Sequence, residues 1–311
     1  MSTATKPAYA QFCALHPCLP IFFEPWYLDA VVEGGDWQAV SLWDGDQPIA
    51  AWPYFEKRRL GLRYVSMPLF TKYMGPILWP GYEWSPELAQ ALFSGLPQLA
   101  GWDQNTSTQL GQQASLWSKY FQLTPQYLHQ LPLSPNHDWR SGINRNMRRN
   151  IRKADQLVAL DLNLNLADFY AINQLSFTRQ GLTLPYTFEQ LKRHDAALEQ
   201  HQRRQRLGAR DAQGRLHSVA YLIWDKQAAY YHLSGDDPAL RQSGSGIWLL
   251  AQAIAYTQQK LRLPLFDFEG SMLPKVARIR EQFGAERVPY YRIRHARDWR
   301  YRWLKAWKAR T

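Results

Sequence analysis

The segment Arg241-Gln242-Ser243-Gly244-Ser245-Gly246 decides how this 311-residue sequence is interpreted. It lies between a predicted strand at residues 228–234 and an amphipathic helix predicted over residues 245–260. Two glycines let the backbone approach a ligand closely, and the first N–H groups of the helix point outward with the positive end of its dipole. This order of elements indicates a site for a phosphate or pyrophosphate. An ordinary helix-capping loop is the structural alternative, and the glycines alone do not decide between the two.

The elements on either side of this loop follow a regular order. Upstream, the sequence predicts a helix, a strand, two helices and three strands joined by tight turns, at 137–154, 157–162, 168–180, 187–202, 205–211, 216–224 and 228–234. Downstream, it predicts a buried strand at 265–268, a helix from Pro274 and a last strand at 285–293. Residues 1–135 have a similar order of helices and strands, including a helix capped by Ser85. An internal structural duplication is therefore plausible, although no sequence repeat is visible.

Several of these motifs resemble known families. The pattern Arg241-x-x-Gly244-x-Gly246, after a three-strand meander and before a helix, resembles the pyrophosphate-binding signature of the GCN5-related N-acetyltransferase (GNAT) fold. The phrases at 266–271 (FDFEGS), 283–285 (FGA) and 147–154 (MRRNIRKA) resemble the FemAB-type branch, which contains peptidoglycan-bridge aminoacyl transferases and is built from two GNAT-like domains. The resemblance implies an α/β (α+β) chain of tandem GNAT-like domains, each a mixed, mostly antiparallel twisted sheet flanked by helices.

The Pro132 to Pro135 break sets the expected domain boundary. Residues 1–135 are expected to form an N-terminal degenerate GNAT-like domain and residues 136–295 a C-terminal acyl-donor domain. Residues 296–311 are expected to form a basic, Trp-rich helix that packs back on the first domain.

The resemblance also implies direct attack by an amine on a bound thioester. It places the donor on Leu233 and Ser234 of the strand, whose N–H groups would polarise the thioester carbonyl, and on the loop residues Arg241, Gln242, Ser243, Gly244, Ser245 and Gly246. A base must take the proton of the attacking amine. Asp267 and Glu269 are the candidates, and we expect only one of the two carboxylates to face the cleft.

We favour Glu269 as the base because it ends its strand, where open α/β-type sheets place their sites. For Asp267, a structural carboxylate held by an arginine or backbone N–H groups is the alternative. His232, on the strand that would flank the thioester, is another candidate base. Tyr290 offers a phenolic acid for the leaving thiolate, although core packing is the usual role of a tyrosine.

The implied function is an N-acyltransferase that uses acyl-CoA, such as acetyl-CoA, as co-substrate and needs no metal. Residues 187–206 are too short for the long helical arm that tRNA-dependent Fem enzymes often carry, and the pyrophosphate loop is intact. An aminoacyl-tRNA-dependent peptidoglycan-bridge aminoacyltransferase is one alternative. A non-catalytic GNAT-like protein that binds an anionic ligand or nucleic acid is another.

Charge is distributed unevenly along the chain. Residues 1–135 hold 7 basic and 10 acidic residues, whereas residues 136–311 hold 30 basic and 16 acidic ones. The second half should therefore attract an anion. Six uncompensated cations in the predicted helix near residues 140–153 could bind tRNA or an anionic lipid headgroup, or form a solvated face: Arg140, Arg145, Arg148, Arg149, Arg152 and Lys153.

The last residues form a second basic segment, with Trp299, Trp303 and Trp307 spaced four apart. Such a stripe is either a membrane-surface anchor or a packing face, and packing is the expectation because three tryptophans form a large apolar area. Cys13 and Cys18, with His16 between them, are a weak metal signal. With no secretory or membrane-spanning pattern, the expected location is cytoplasmic, or peripheral at the inner membrane surface.

Overall fold

The computed structural model describes residues 2–136, 138–270 and 274–308. His137, Ser271 and the end of the chain after Lys308, which were named above, lie outside the described residues.

The first half of the chain contains both helices and strands, with short 3₁₀ turns at Ile21–Phe23 and Thr108–Gln113. In order they are β1 (Ser2–Thr3), α1 (Lys6–Leu15), α2 (Pro25–Val31), β2 (Gly35–Asp44), β3 (Gln47–Arg59), β4 (Leu62–Ser66), β5 (Ile77–Leu78), α3 (Pro86–Gly95), β6 (Gly101–Asn105), α4 (Ser115–Ser118) and β7 (Gln122–Pro132). The predicted cap of α3 is confirmed, since the Ser85 hydroxyl accepts a hydrogen bond from the Leu88 N–H at 3.1 Å.

The second half follows the predicted order of elements. They are α5 (Arg145–Asp155), β8 (Val158–Asp161), α6 (Leu166–Thr178), α7 (Phe188–Gln200), β9 (Arg204–Asp211), β10 (Leu216–Trp224), β11 (Ala228–Asp236), α8 (Ser245–Tyr256), β12 (Leu265–Gly270), α9 (Pro274–Glu281), β13 (Glu286–Ala296) and α10 (Trp299–Lys308). The predicted start of α5 was too early. Asn144 is its N-cap, and the Asn144 side chain accepts from the Met147 N–H at 2.9 Å.

The chain forms two compact units, residues 1–127 with 288–311 and residues 128–287. The first has the strand order β1-β2-β3-β4-β6-β13, with β5 beside β3, and the second has β7-β12-β11-β10-β9-β8. Of the strand pairs described here, β4 with β6 and β11 with β12 are parallel, whereas β2 with β3, β6 with β13 and β7 with β12 are antiparallel. Each unit is thus a mixed, mostly antiparallel sheet flanked by helices, as predicted.

The boundaries of these units differ from those predicted, because a strand from each half of the sequence completes the sheet of the other. β7, which precedes the predicted boundary, pairs antiparallel with β12, Leu131 lying opposite Phe266. β13, which was predicted to close the second domain, pairs antiparallel with β6, Ile293 lying opposite Gln104. The Pro132 to Pro135 break therefore marks the end of β7 within the second unit.

The core of the second unit lies between α8, α5 and the sheet. Trp248, Leu249 and Ile254 of α8 are buried together with Met147 of α5 and Phe266 of β12. The Trp248 indole N–H donates to the Asp155 carboxylate at 2.9 Å, which joins α8 to the end of α5. This packing fixes the start of α8, where the glycine-rich loop lies.

The C-terminal helix α10 packs within the first unit through Tyr301 and Leu304, which are buried against Leu62 and Tyr64 of β4. The expectation that its tryptophans make this contact is wrong. Trp299, Trp303 and Trp307 are 68%, 62% and 45% exposed. Within the described residues, no helix is both long and apolar enough to cross a bilayer.

Gly101 of β6 is the site at which the docking of α10 can be tested. A Cβ atom at Gly101 would lie 2.0 Å from the ring of Tyr301. Gly101→Ala should therefore displace Tyr301 and lower the free energy of unfolding by about 1–3 kcal/mol. The matched control is Gly142→Ala, whose nearest contact is 3.9 Å away. Urea unfolding of both variants measures the difference, and equal stability would contradict this packing.

Candidate active site

The sheet of the second unit opens at the end of β11. β11 runs parallel to β12, and their pairing extends as far as Tyr230 with Asp267. On its other side, the register between β11 and β10 shifts by one residue at His232. A bulge of this kind re-aims the side chain of the extra residue. Beyond the paired region, His232 and Glu269 bridge the two strands.

These two side chains, predicted as separate candidate bases, form one hydrogen-bonded pair. His232 Nδ1 lies 2.7 Å from Glu269 Oε1, and the side chains are 3% and 14% exposed. With the Nδ1–H donated to the carboxylate, a neutral His232 carries its lone pair on Nε2. The pair therefore offers both a carboxylate and an imidazole that can accept a proton.

The backbone at Glu269 adopts an unusual conformation. Its φ is +56°, in the left-handed region that favours glycine, and the register of β12 against β7 shifts between Asp267 and Gly270. The expectation of a regular strand through Asp267 and Glu269 is therefore wrong. Strain of this kind costs about 1–3 kcal/mol and is common at functional sites.

Asp267 holds this irregular turn together. It is 1% exposed, and its Oδ1 accepts a hydrogen bond from the Glu269 N–H at 2.7 Å. Its Oδ2 accepts from the Gln130 amide at 2.8 Å, so β7 also supports it. Both carboxylate oxygens thus accept hydrogen bonds inside the protein, as in the structural alternative described for Asp267.

Two neighbours of the pair were not identified from the sequence. Arg280 of α9 donates to the Glu269 carbonyl at 2.8 Å; burial lowers the pKa of Arg280, and the charges of Glu269 and Asp267 oppose this effect. His194 of α7 is fully buried, with its ring centre 5.4 Å from that of His232. Burial, and then the charge of His232, hold the pKa of His194 well below its ordinary value, so His194 stays neutral. Only the fold brings these residues together, since each lies on a distant helix.

The glycine-rich loop has the predicted strand, loop and helix geometry. Arg241–Ser243 form a 3₁₀ turn, Gly244 follows at φ +75°, and α8 begins at Ser245. Gly244 is required because its φ lies in the left-handed region. At Gly246, a Cβ atom would lie 2.5 Å from Asp236 Oδ1, so only glycine fits there without movement. The Asp236 carboxylate therefore lies directly against the first turn of α8.

The charges around this loop are mixed. Lys153 of α5 donates to the Gln242 carbonyl at 3.1 Å, and Arg241 Nε lies 3.8 Å from Asp236 Oδ2. Asp236 also accepts from the Ser218 hydroxyl at 2.8 Å. Asp236 was not identified from the sequence, because it does not belong to the loop motif, and Lys153 was predicted only as one of the cations of the basic helix. The loop thus combines a helix N-terminus and two cations with one carboxylate.

Leu233 and Ser234, the predicted donor contacts on β11, lie between the His232–Glu269 pair and the loop. The Ser234 carbonyl accepts from the Asn173 side chain of α6 at 2.7 Å. A Cβ at the next residue, Gly235, would lie 2.7 Å from the Asn173 Cα. The end of β11 is therefore held tightly against α6, which fixes the distance along β11 from the pair to the loop.

The basic helix α5 borders the loop on its other side. The Asn150 carbonyl of α5 lies 3.5 Å from where a Cβ of Gly244 would be. The cations of this helix, Arg145, Arg148, Arg149, Arg152 and Lys153, are exposed, and Arg140 upstream lies over the ring of Trp139 at 4.4 Å. An anion at the loop would therefore meet additional positive charge.

Tyr290 was predicted as a phenolic acid. It lies on β13 in the first unit, 3% exposed, with the Lys72 ammonium 5.6 Å from its ring centre.

Cys13 is buried and Cys18 is exposed, and the Cys18 N–H donates to His16 Nδ1 at 3.3 Å. In the described part of the chain, no group of three or more His, Cys, Asp or Glu side chains is placed to hold a metal ion.

Comparisons with known proteins agree with this geometry. Residues 141–272 match the family described as Acetyltransferase (GNAT) domain. Comparison with curated proteins gives no match. Among solved structures, FemX superposes with a TM-score of 0.69 at 10% identity, over 94% of this chain and 97% of FemX.

Two further structures are similar over most of the chain. L-PGS from Bacillus licheniformis gives a TM-score of 0.56 at 8% identity, covering 94% of this chain and 92% of its own. A tandem GNAT protein from the clavulanic acid biosynthesis pathway gives 0.53 at 11% identity, covering 93% and 92%. At these identities the likeness concerns the fold.

The segment 141–272 is therefore a GNAT domain, and the whole chain has a GNAT acyltransferase fold. Its fold of two GNAT-like units is similar to that of FemX and of the tandem GNAT protein, so the resemblance in fold predicted from the sequence is confirmed.

The left-handed conformation of Glu269 can be tested by comparing two variants. Glu269→Gly and Glu269→Ala both remove the carboxylate, but glycine tolerates a φ of +56° and alanine does not. The glycine variant should be more stable than the alanine variant by about 1 kcal/mol. Equal free energies of unfolding, measured with urea, would contradict the strained conformation.

His194 gives the site a pH-dependent stability. The folded protein keeps His194 neutral, whereas the unfolded chain protonates it below its ordinary pKa. The unfolded state then binds more protons, so the free energy of unfolding falls as the pH drops below about 6.5, by up to about 1.4 kcal/mol per pH unit. His194→Gln should remove this contribution from the pH slope. The control is exposed His201→Gln, which should leave the slope unchanged; a wild-type slope in His194→Gln would refute the assignment.

Proposed function

We propose that this protein is an N-acyltransferase that transfers an acyl group from acyl-CoA to an amine by direct attack. The observation that carries the proposal is that one strand, β11, connects the His232–Glu269 pair to the glycine-rich loop at the start of α8. An acid–base pair and an anion-binding helix start are thus held at a fixed separation. These are the two parts that thioester aminolysis needs.

The loop fits the pyrophosphate of a CoA donor. Gly244 makes the left-handed turn that precedes α8, and the first N–H groups of that helix would bind the diphosphate. Arg241 and Lys153 supply positive charge beside it. Asp236 opposes this attraction, which makes it the residue whose charge most directly sets donor affinity.

The reaction needs one proton accepted and one delivered. As the amine attacks, a C–N bond forms, the C–S bond breaks and the proton of the amine passes to a base. We assign the base to Glu269, the more exposed member of the pair, and assign to His232 the role of orienting the carboxylate. Backbone N–H groups near Leu233 and Ser234 would stabilise the oxyanion, and the departing thiolate takes up a proton.

An aminoacyl-tRNA donor is the second candidate. It is favoured by the exposed cations of α5 beside the loop and by the fold shared with FemX. Against it stands α7, which is a helix of 13 residues rather than a long arm. The two donors differ in what binds the loop, so one binding experiment separates them.

Thermal unfolding with CoA, acetyl-CoA, a long-chain acyl-CoA and charged tRNA tests the donor. A CoA species at about a hundred times its Kd should stabilise the protein by about 2.7 kcal/mol and raise its Tm by several degrees. Gly246→Val should abolish this shift, whereas Asp236→Asn should bind CoA more tightly because it removes the opposing charge. Gly142→Ala is the matched glycine control and should respond like the wild type.

If charged tRNA raises the Tm and no CoA species does, the donor is aminoacyl-tRNA and not acyl-CoA. With a panel of amine acceptors, Glu269→Gln should keep the CoA-induced shift and lose about 10²–10⁴-fold in thiol release. If His232→Gln loses that activity while Glu269→Gln retains it, the base assignment is wrong. Thermal shifts without thiol release from any acceptor would make the protein a binder.

A further inference from the structure

The C-terminal helix α10 presents large aromatic side chains to solvent. Trp299 and Trp303 are 68% and 62% exposed, and Trp307 is 45% exposed. Among the large apolar side chains of the described residues, only Leu60 is more exposed than Trp299, at 72%. A contiguous patch of this kind on a protein surface usually marks an interaction site.

The helix holds these side chains in one direction. Residues four apart lie on the same side of a helix, so the three tryptophans form a stripe along α10. Tyr301 and Leu304, on another side of α10, are buried against β4. The stripe is therefore presented outward by a helix whose opposite side is anchored.

The hairpin between β3 and β4 extends this stripe. The Arg59 guanidinium lies 5.4 Å from the ring centre of Trp307. Leu60 follows at the tip of the hairpin and is 72% exposed. We call the set formed by Leu60, Trp299, Trp303 and Trp307 with Arg59, Arg300 and Arg302 the Trp–Arg surface.

The charge around this surface is strongly positive. Residues 288–311 contain eight Arg or Lys residues and one acid, Asp298, which pairs with Arg300 at 2.7 Å. Several of these cations line a cleft of about 530 Å³ beside α10, among them Arg294, Arg302 and Lys305. Its one carboxylate is Asp103, which Arg292 contacts at 2.6 Å and Lys305 also contacts.

Asp103 does not cancel the charge of the cleft. Burial alone would raise the pKa of Asp103, but the hydrogen bonds and charges of Arg292 and Lys305 lower it overall. Asp103 therefore stays ionised, and its negative charge is paired with these two cations. Arg294 and Arg302 remain as positive charge at the rim of the cleft.

We propose that the Trp–Arg surface docks the protein on a bilayer that contains anionic phospholipid. Indole rings favour the bilayer interface, where an apolar ring meets polar headgroups, and arginines beside them attract lipid phosphates. A second copy of the chain is a poorer occupant, because a two-fold interface would oppose the same arginines on both copies. Docking is peripheral and uses α10 with the tip of the β3–β4 hairpin.

Sedimentation of the full chain with two kinds of vesicle tests this docking. The vesicles contain either phosphatidylcholine alone or phosphatidylcholine with about one third phosphatidylglycerol. The wild type should bind the anionic vesicles at least about tenfold more tightly than the neutral ones, and binding should weaken with added salt. Trp299→Ser with Trp303→Ser should reduce the affinity for anionic vesicles at least about tenfold.

The matched control replaces two exposed leucines of the second unit, Leu157→Ser with Leu182→Ser, and should bind like the wild type. Arg302→Glu, also exposed, should reduce only the charge-dependent part of the binding. Equal binding of the Trp double variant and the wild type would overturn the proposal, as would no binding of the wild type. A wild-type dimer that the Trp double variant converts to a monomer, without vesicle binding, would assign the surface to a second copy instead.

Discussion

The separation of β11 from β12 is the constraint on which the second unit depends. Parallel pairing ends at Tyr230 and Asp267, and beyond that point the two strands are joined by the hydrogen bond between His232 and Glu269. Two irregularities make this bond possible, the bulge at His232 and the left-handed backbone of Glu269. Regular strands would have continued their ladder and left no opening between them. The backbone irregularities that interrupt the sheet therefore also create the site. Asp267 stabilises the left-handed conformation of Glu269 by accepting a hydrogen bond from the Glu269 N–H.

Local signals predicted the elements well because their causes are local. Ser85 and Thr187 cap their helices through side chains that the sequence displays, and β10 was predicted at its observed bounds. The exchange of β7 and β13 between the two units could not be predicted in the same way. Both strands have ordinary alternating patterns, and which sheet edge a strand joins is decided by long-range pairing, such as Leu131 with Phe266. A proline-rich break looked like a domain boundary because it ends a strand.

The same division applies to the candidate site. The glycine-rich loop could be identified because a left-handed residue and a close approach leave a glycine signature, as Gly244 and Gly246 do. His232 and Glu269 were identified as single residues, but their pairing depends on two backbone irregularities that no residue type announces. Asp236 and Arg280 were missed, and Lys153 was predicted only as a cation of the basic helix, because the contacts of all three with the site arise from three-dimensional proximity. Asp236 matters most among them, since it places a negative charge where the motif alone suggests only attraction for an anion.

The exchange of strands also changes what the charge asymmetry of the sequence means. Split at residue 135, the chain has a net charge of −3 and then +14, which suggests a single anionic partner for the second half. Residues 288–311, with eight basic residues and one acid, belong to the first unit. When these residues are counted with the first unit, its net charge is +4 and the net charge of the second unit is +7. The positive charge is therefore divided between two surfaces, one around the loop and α5 and the other around α10. Electrostatic attraction acts through space within about one Debye length. The net charge of a sequence segment therefore predicts what binds to it only when the residues of that segment also lie together in the structure.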